Sequence, residues 1–421
     1  MKPAFVFLLA FTTSGLTQTH PSQQIIEAAR ITPVSAELKQ LLGTVARGGA
    51  TYVWGQDYVF AAASEKPAMV SIDGRPPVEM FRVPDSNVWV RLEKMRTGVT
   101  HSYQFFADGA PLGQRSDVPG YNQDSYPQPG VAKGQLSEKK VIASTIYPGM
   151  KADYWIYVSP GYNVNAGGPL MVWQDGQGLA QGDRSRMRLF TVTENLVHQK
   201  RIPPMIHLLI SPGVDANNRS MRSVMYDTVS NRFGRFLTEE VLPEVEKTHK
   251  IRQDGYSRAI GGESSGAVCA FTAAWFFPEK FSRVHSTIGT YTSIQWKFGN
   301  ANPADNIDGG NIYPFAIRKQ PKRNIRVWLS DGADDLENNH GSWPLQNIQM
   351  ANSLKMKDYD FHFRFGEAAH NGSQAALDLP ESLTWLWRDY DPSKTEQTYT
   401  PAPSEKTMPY YRVKIVNREA W

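Results

Sequence analysis

The chain has 421 residues, which is long for a single hydrophobic core and comfortable for two domains. A composition of 41% hydrophobic and 20% charged residues is that of a globular protein and excludes large-scale disorder. Lysine and arginine (45) outnumber aspartate and glutamate (41) by only four and form no basic block, so the charge pattern of a nucleic-acid-binding protein is missing.

The first residues have the pattern of an export signal. Lys2 precedes the short apolar run 4–11, which then fades into Thr, Ser and Gly. Because this run is too short to span a bilayer, we predict a signal peptide over residues 1–18. The mature protein is then expected to be secreted or periplasmic, without membrane association. A frayed start of the first domain is the alternative interpretation.

The next segment is predicted to form a small all-β domain. Between residues 51 and 109 apolar and polar side chains alternate in short runs, and turn signals such as Asp73-Gly74 separate them. We therefore predict an antiparallel sandwich over residues 45–110. Residues 111–135 are rich in Pro, Gly, Gln and Asp, which indicates a linker between two domains.

From residue 136 to residue 391, short apolar strands alternate with helices. This alternation predicts an α/β domain with a doubly wound, mostly parallel sheet, whose ligands bind at the carboxyl ends of the strands. Residues 392–421 are predicted to be a C-terminal extension without catalytic residues. The predicted strands are 154–158, 170–173, 206–210, 259–261, 325–329 and 361–365, and the predicted helices are 233–248, 265–277, 344–355 and 380–389.

The strongest chemical signal is a G-x-S-x-G pattern at residues 262–266, between a predicted strand and a predicted helix. In this context the pattern presents the central serine, Ser264, at the tip of a sharp turn, where flanking glycines avoid collisions with neighbouring backbone. The pattern also occurs by chance in loops rich in Ser and Gly, but its position favours a nucleophile. Cys269, the only cysteine, falls one turn into the helix and is predicted to be a core residue.

A serine nucleophile needs a histidine to take its proton and a carboxylate to orient that histidine. His370, in the loop of small residues after the last predicted strand, is the predicted base. His340 is the alternative, but it shares the loop that holds the candidate acids. Asp335 is the preferred acid and Asp331 the second choice. An aspartate in this loop can also serve only to cap a turn or a helix.

Acyl transfer also needs two donors for the oxyanion that forms on the substrate. The backbone N–H groups of Ser265 and Gln177 are the predicted donors, and a plain Asp-Gly turn at 175–176 is the alternative interpretation. Metal-binding patterns are missing from the sequence, so we predict neither a metal nor another cofactor. The candidate substrate-contacting residues are aromatic, although such residues are more often buried in the core: Trp343, Tyr226 and Trp296.

Residues 142–390 resemble the esterase family that includes enterochelin, feruloyl and acetyl-xylan esterases, S-formylglutathione hydrolase and the mycolyltransferases. The resemblance implies an α/β-hydrolase that acts on esters, with Ser264, Asp335 and His370 matching the family's nucleophile, acid and base. The front segment YQFFADG resembles the immunoglobulin-like modules that precede some of these esterases. The motifs that carry the main resemblance are PLMVWQDG at 169–176, FLTEEVLP at 236–243, the G-x-S-x-G turn followed by PEKF at 278–281, and the loop 366–370.

Taken together, these features predict an exported serine ester hydrolase that forms an acyl-enzyme. Its predicted substrate is a small-molecule or carbohydrate ester, such as an ester of a sugar, an aromatic acid or a siderophore. Two alternatives stay open: an acyltransferase that uses the same residues with an alcohol in place of water, and an inert hydrolase fold whose front domain binds carbohydrate.

Overall fold

A computed structural model describes residues 20–32, 35–46, 48–297, 299 and 307–413 of the chain. The predicted signal peptide at residues 1–18 lies outside these residues. The described chain forms a front domain of antiparallel sheets followed by a larger domain that is built on one mixed sheet.

The front domain consists of helices α1 (Pro21–Ile31) and α2 (Ala36–Leu42) and two antiparallel sheets. The strand orders of these sheets are β1-β2-β6-β5 and β4-β3-β7-β8. The sheets pack face to face, since the rings of Phe60 and Tyr103 meet edge to face at 5.5 Å. The predicted all-β domain is confirmed, and its immunoglobulin-like identity stays a prediction. The strands are β1 (Ala50–Trp54), β2 (Asp57–Ala63), β3 (Ala68–Ile72), β4 (Val78–Glu79), β5 (Phe81–Arg82), β6 (Val88–Lys94), β7 (Thr100–Ala107) and β8 (Ala110–Pro119).

Strand β8 lies in the segment that the sequence predicts as a linker. Pro111, Gly113 and Pro119 give this segment the composition of a loop, but β8 is the edge strand of its sheet. Proline is tolerated at an edge because one side of the strand makes no ladder hydrogen bonds. The front sandwich therefore extends to residue 119, nine residues beyond the predicted boundary at 110.

The second domain is built on a sheet with the strand order β10-β11-β13-β12-β14-β15-β16-β19, in which β9 also pairs with β11. Strands β9 to β11 run antiparallel to their neighbours, and the strands from β13 to β19 in this order run parallel. The predicted mostly parallel sheet is confirmed. The strands are β9 (Gln135–Leu136), β10 (Lys140–Ala143), β11 (Lys151–Val158), β12 (Leu170–Trp173), β13 (Ile206–Ile210), β14 (Arg258–Glu263), β15 (Arg283–Thr287), β16 (Arg326–Asp334), β19 (Asp360–Ala369) and the hairpin β17 (Glu337–Asn338) and β18 (Gly341–Ser342).

Helices cover both faces of this sheet, which explains why its strands are apolar without alternation. Val172 and Leu208 belong to the core on one face, and their chain neighbours Trp173 and Leu209 belong to the core on the other. The helices are α3 (Gly176–Leu179), α4 (Leu189–His198), α5 (Arg222–Tyr226), α6 (Arg232–Arg235), α7 (Leu242–Glu246), α8 (Ser265–Phe276), α9 (Tyr313–Lys319), α10 (Trp343–Met356), α11 (Ser373–Trp387) and α12 (Pro403–Thr407).

Two of these helical segments differ from the prediction. The segment 233–248 is not one regular α-helix, because a π-helical turn at Phe236–Val241 joins α6 to α7. The helix expected at 380–389 begins at Ser373, so that Pro380 lies inside it. Proline prefers the first turn of a helix, which is why the sequence predicts a helix start at this residue.

Candidate active site

Ser264 occupies a sharp turn between β14 and α8, with a φ of 58° and a ψ of −123°. A positive φ is unfavourable for a residue with a side chain, and such strain is typical of active sites. The surrounding glycines are required by close contact, since a Cβ on Gly262 would lie 2.6 Å from the backbone carbon of Gly266. The sequence pattern thus forms the tight strand-to-helix turn that it predicts, and this turn presents the Ser264 hydroxyl beyond the end of the sheet.

Three predicted residues meet in one chain of hydrogen bonds. His370 Nε2 lies 2.8 Å from Ser264 Oγ, and His370 Nδ1 lies 2.6 Å from Asp335 Oδ1. Because a carboxylate only accepts hydrogen bonds, Nδ1 carries the proton and Nε2 is left to accept the serine proton. The three residues follow β14, β16 and β19, whose carboxyl ends lie at the same edge of the sheet. His340 lies instead in the turn between β17 and β18, where its backbone carbonyl accepts from Ser293.

Asp331 and Asp335 lie in the same loop but differ in charge. Burial raises the pKa of Asp331 far above its ordinary value, and the neighbouring Asp335 carboxylate raises it further. Burial also acts to raise the pKa of Asp335, but hydrogen bonds from His370 and Asp331 outweigh it and hold this pKa below its ordinary value. Asp335 is therefore the ionised partner of His370, and Asp331 is a neutral acid beside it.

Thr290 and Trp343 complete the surroundings of the serine. Thr290 Oγ1 lies 3.1 Å from Ser264 Oγ, and Trp343 Nε1 donates to Thr290 Oγ1 at 3.2 Å. The Trp343 ring also packs edge to face on His370, with centroids 5.7 Å apart. Sequence reasoning did not identify Thr290, because no motif marks it and 26 residues separate it from Ser264.

The two predicted oxyanion donors lie in the first turns of two different helices. Ser265 begins α8, and Gln177 lies in α3, directly after Asp175 and Gly176. Among the described residues, neither backbone N–H donates to a protein acceptor. The loop before α3 is held beside the turn, since a Cβ on Gly266 would lie 3.3 Å from Asp175 Oδ2. Arg222 fixes the Asp175 carboxylate with two hydrogen bonds of 2.9 and 2.8 Å.

The other two candidate aromatic residues do not surround the serine. Tyr226 is fully buried, packs against Phe233 and places its hydroxyl 3.4 Å from the Asp175 backbone nitrogen. Trp296 is partly exposed and donates to Asp308 at 3.3 Å. A substrate contact by either residue stays a prediction, while the contacts of Tyr226 assign it to support of the Asp175 loop.

A cavity of about 360 Å³ adjoins the serine turn. Its walls include Gln177, Glu263, which precedes the serine in the chain, and the exposed residues Arg184 and Arg186. Burial raises the pKa of Glu263, which lowers the negative charge on this wall. The cavity is thus mixed in polarity and large enough for the acyl or the alcohol group of a small ester.

Cys269 is buried in α8, and burial raises the pKa of its thiol well above the ordinary value, so it is not a competing nucleophile. Over the described ranges, no group of three or more His, Cys, Asp or Glu side chains comes together in a way that would hold a metal ion. None of the helices in those ranges is long and apolar enough to cross a bilayer.

A known family matches the larger domain. The model of the family described as "Putative esterase" matches residues 148–384, which is more than half of the chain. The chain belongs to this esterase family. The esterase is therefore a carboxylic ester hydrolase.

The esterase is also similar to individual proteins. It is 25% identical over 216 residues to the uncharacterized protein YbbA of Bacillus subtilis, across 48% of this chain and 73% of that protein. It is 27% identical over 124 residues to the iron(III) enterobactin esterase of Escherichia coli, but this match covers 29% of this chain and only 28% of that protein. The enterobactin esterase of Shigella flexneri, solved in the presence of enterobactin, has the same fold with a TM-score of 0.57 and 17% identity, over 85% of this chain and 99% of that one.

Proposed function

We propose that this esterase is a serine hydrolase that cleaves carboxylic esters through an acyl-enzyme, with Ser264 as nucleophile, His370 as base and Asp335 as the acid that orients the histidine. The observation that carries this proposal is the continuous chain of hydrogen bonds from Asp335 through His370 to Ser264. Such an arrangement activates a hydroxyl that is otherwise a weak nucleophile at neutral pH.

In the first step, His370 Nε2 takes the proton of Ser264 while Oγ forms a bond to the ester carbonyl carbon. The backbone N–H groups of Ser265 and Gln177 stabilise the oxyanion of the tetrahedral intermediate, and the positive end of α8 adds to this stabilisation. His370 then returns the proton to the departing alkoxide oxygen as the carbon–oxygen bond breaks. In the second step, water attacks the acyl-enzyme in the same way, and the acid is released.

The proposed activity is like that of an enterochelin esterase. The proposed substrate is an ester of a sugar, an aromatic acid or a siderophore. The family match, the similarity to an iron(III) enterobactin esterase and the mixed polarity of the cavity beside Ser264 support this class. Lys2 and the apolar run 4–11 support export to the periplasm or the medium.

The nucleophile is tested with Ser264→Ala. Hydrolysis of p-nitrophenyl acetate is expected to fall by on the order of 10⁴-fold or more, and labelling by a fluorophosphonate probe is expected to disappear. Ser404→Ala, which removes an exposed serine of the last helix, is the matched control and should keep both activities. Hydrolysis or labelling that persists in folded Ser264→Ala would overturn the proposal. The substrate class is tested separately, by screening the wild-type protein against catecholate, feruloyl and acetyl-sugar esters.

A further inference from the structure

The front domain contacts the loop that carries His370. Ala369, the residue before His370, donates its backbone N–H to Asp117 Oδ2 at 2.6 Å. Asp117 belongs to β8 of the front domain and is only 5% exposed. A hydrogen bond to a buried carboxylate is stronger than one between neutral groups, so this contact holds the base loop from outside its own domain.

The residues after His370 are held by the same strand. The side-chain amide of Asn371 donates to Ser116 Oγ at 3.1 Å and to the backbone carbonyl of Asp117 at 3.4 Å. Ser373 Oγ, at the start of α11, donates to that carbonyl at 3.3 Å. The front domain therefore contacts the chain on both sides of His370.

Strand β8 also reaches the loop of the acid. Arg115 forms an ion pair of 2.9 Å with Asp334, the residue before Asp335. Both of these side chains are partly exposed, so the ion pair is weaker than the buried contact of Asp117. Hydrogen-bonded pairing with β7, in which Ser102 lies opposite Asp117, fixes the position of this strand in its sheet. A site that is supported by a paired strand is positioned more precisely than one that depends on a loop.

We propose that the front domain contributes to the active site. Its Asp117 is a positioning residue that holds His370 at hydrogen-bonding distance from Ser264. This inference rests on the proposed function, because it assigns Asp117 a role only through the base of that mechanism. It also gives the front domain a role other than carbohydrate binding: β8 forms the outer support of the loops that carry the base and the acid.

The test is Asp117→Ala, measured as kcat and KM for p-nitrophenyl acetate and as the rate of fluorophosphonate labelling. Loss of the acceptor for Ala369 N–H should displace His370 and lower kcat and the labelling rate by about 10- to 100-fold, with KM changed less than about twofold. Asp117→Asn still offers an oxygen to Ala369 N–H and should restore kcat to within about threefold of wild type.

A matched control separates positioning from general destabilisation. Asp57 is a second buried carboxylate of the front domain, but its partner is Arg30 of the same domain. Asp57→Ala should lower the melting temperature without lowering kcat. If Asp117→Ala does not fold, Ser116→Ala takes its place, because it removes an acceptor of Asn371 and should lower kcat about two- to fivefold.

The outcomes distinguish this inference from the function on which it rests. Unchanged kcat in folded Asp117→Ala, or in folded Ser116→Ala where it is the variant used, would overturn the positioning role and leave the serine mechanism intact. Equal losses of kcat in Asp57→Ala and Asp117→Ala would also overturn it. A wild-type protein that neither hydrolyses the ester nor reacts with the probe would instead refute the proposed function, and the positioning role with it.

Discussion

Thr290 and Ser264 share a hydrogen bond of 3.1 Å between their hydroxyl oxygens, and its direction follows from a third side chain. His370 Nε2 accepts the one proton of Ser264, so Ser264 has no proton left for Thr290 and the Thr290 hydroxyl is the donor in the bond between them. The Thr290 oxygen in turn accepts from the indole nitrogen of Trp343 at 3.2 Å. The order of donors from Trp343 to His370 thus prepares the serine to lose its proton to the base.

The role of Thr290 is tested with Thr290→Val, which keeps the shape of the side chain and removes the hydroxyl. We expect kcat for p-nitrophenyl acetate to fall about three- to tenfold, the effect of one lost hydrogen bond. Thr290→Ser keeps the hydroxyl and should stay close to wild type. A similar loss of kcat in both variants would show that the methyl group, and not the hydrogen bond, matters.

The acid is tested by exchanging its charge for a neutral amide. Asp335→Asn places an amide opposite His370 Nδ1 and disfavours the tautomer in which Nε2 can accept the serine proton. On the order of a 10³- to 10⁴-fold loss of kcat is expected, with the fold retained, from the behaviour of comparable triads. Asp334→Asn, which changes the exposed neighbour, is the control and should lose little. Comparable activity in these two variants would reject Asp335 as the acid.

The neutral state of Asp331 predicts a different response at that position. Asn is neutral and nearly the same shape, so Asp331→Asn should keep kcat within about tenfold of wild type. Asp331→Ala removes the buried acid that faces the Asp335 carboxylate. Its free energy of unfolding is expected to fall by about 1–3 kcal/mol, as measured by urea titration. A larger loss of kcat in Asp331→Asn than in Asp335→Asn would mean that Asp331, and not Asp335, is the acid that orients His370.

The site could be predicted from the sequence where its signals are local. The G-x-S-x-G pattern predicts Ser264 as the nucleophile, and the chain order of the strand ends predicts the loops that hold Asp335 and His370. The choice between Asp331 and Asp335 depends on burial and on the distance to His370, which residue order does not contain. Thr290 was missed for the same reason: its contact with Ser264 comes from tertiary structure alone.

The fold was predicted where strands are apolar and missed where they carry polar side chains. Strand β15 was not predicted, because Arg283 and His285 interrupt its apolar pattern. Both are buried: Arg283 donates to the Leu386 carbonyl at 2.6 Å, and His285 Nε2 lies 3.0 Å from Ser382 Oγ. Burial lowers the pKa of His285 to about 3, so this histidine is neutral in the sheet. Partners on α11, distant in sequence, make this strand possible.

A last prediction concerns Asp378, a buried residue of α11. The partners of its carboxyl group are not among the proposed catalytic residues. Its Oδ2 accepts from Gln374 at 2.7 Å, and Arg364 lies 3.4 Å from Oδ1. Burial raises the pKa of Asp378 from its ordinary value of 3.8 to about 6. The folded state thus binds this proton more tightly than the unfolded state does, so the stability it contributes is full below about pH 4 and is lost as the pH rises through about 6.

Asp378→Asn cannot ionise and still offers an oxygen to Gln374, so it should escape this loss. Relative to wild type, its free energy of unfolding should rise by about 2–3 kcal/mol between pH 4.5 and pH 7.5 and then stay constant, since a shift of about two pKa units corresponds to that energy. Urea titrations across this range measure the difference. Glu337→Gln, which alters an exposed carboxylate on β17, is the control and should stay within about 0.5 kcal/mol of wild type. A difference between Asp378→Asn and wild type that is the same at every pH would mean that Asp378 is already ionised at pH 4.5 in the folded protein, and that Arg364 outweighs its burial.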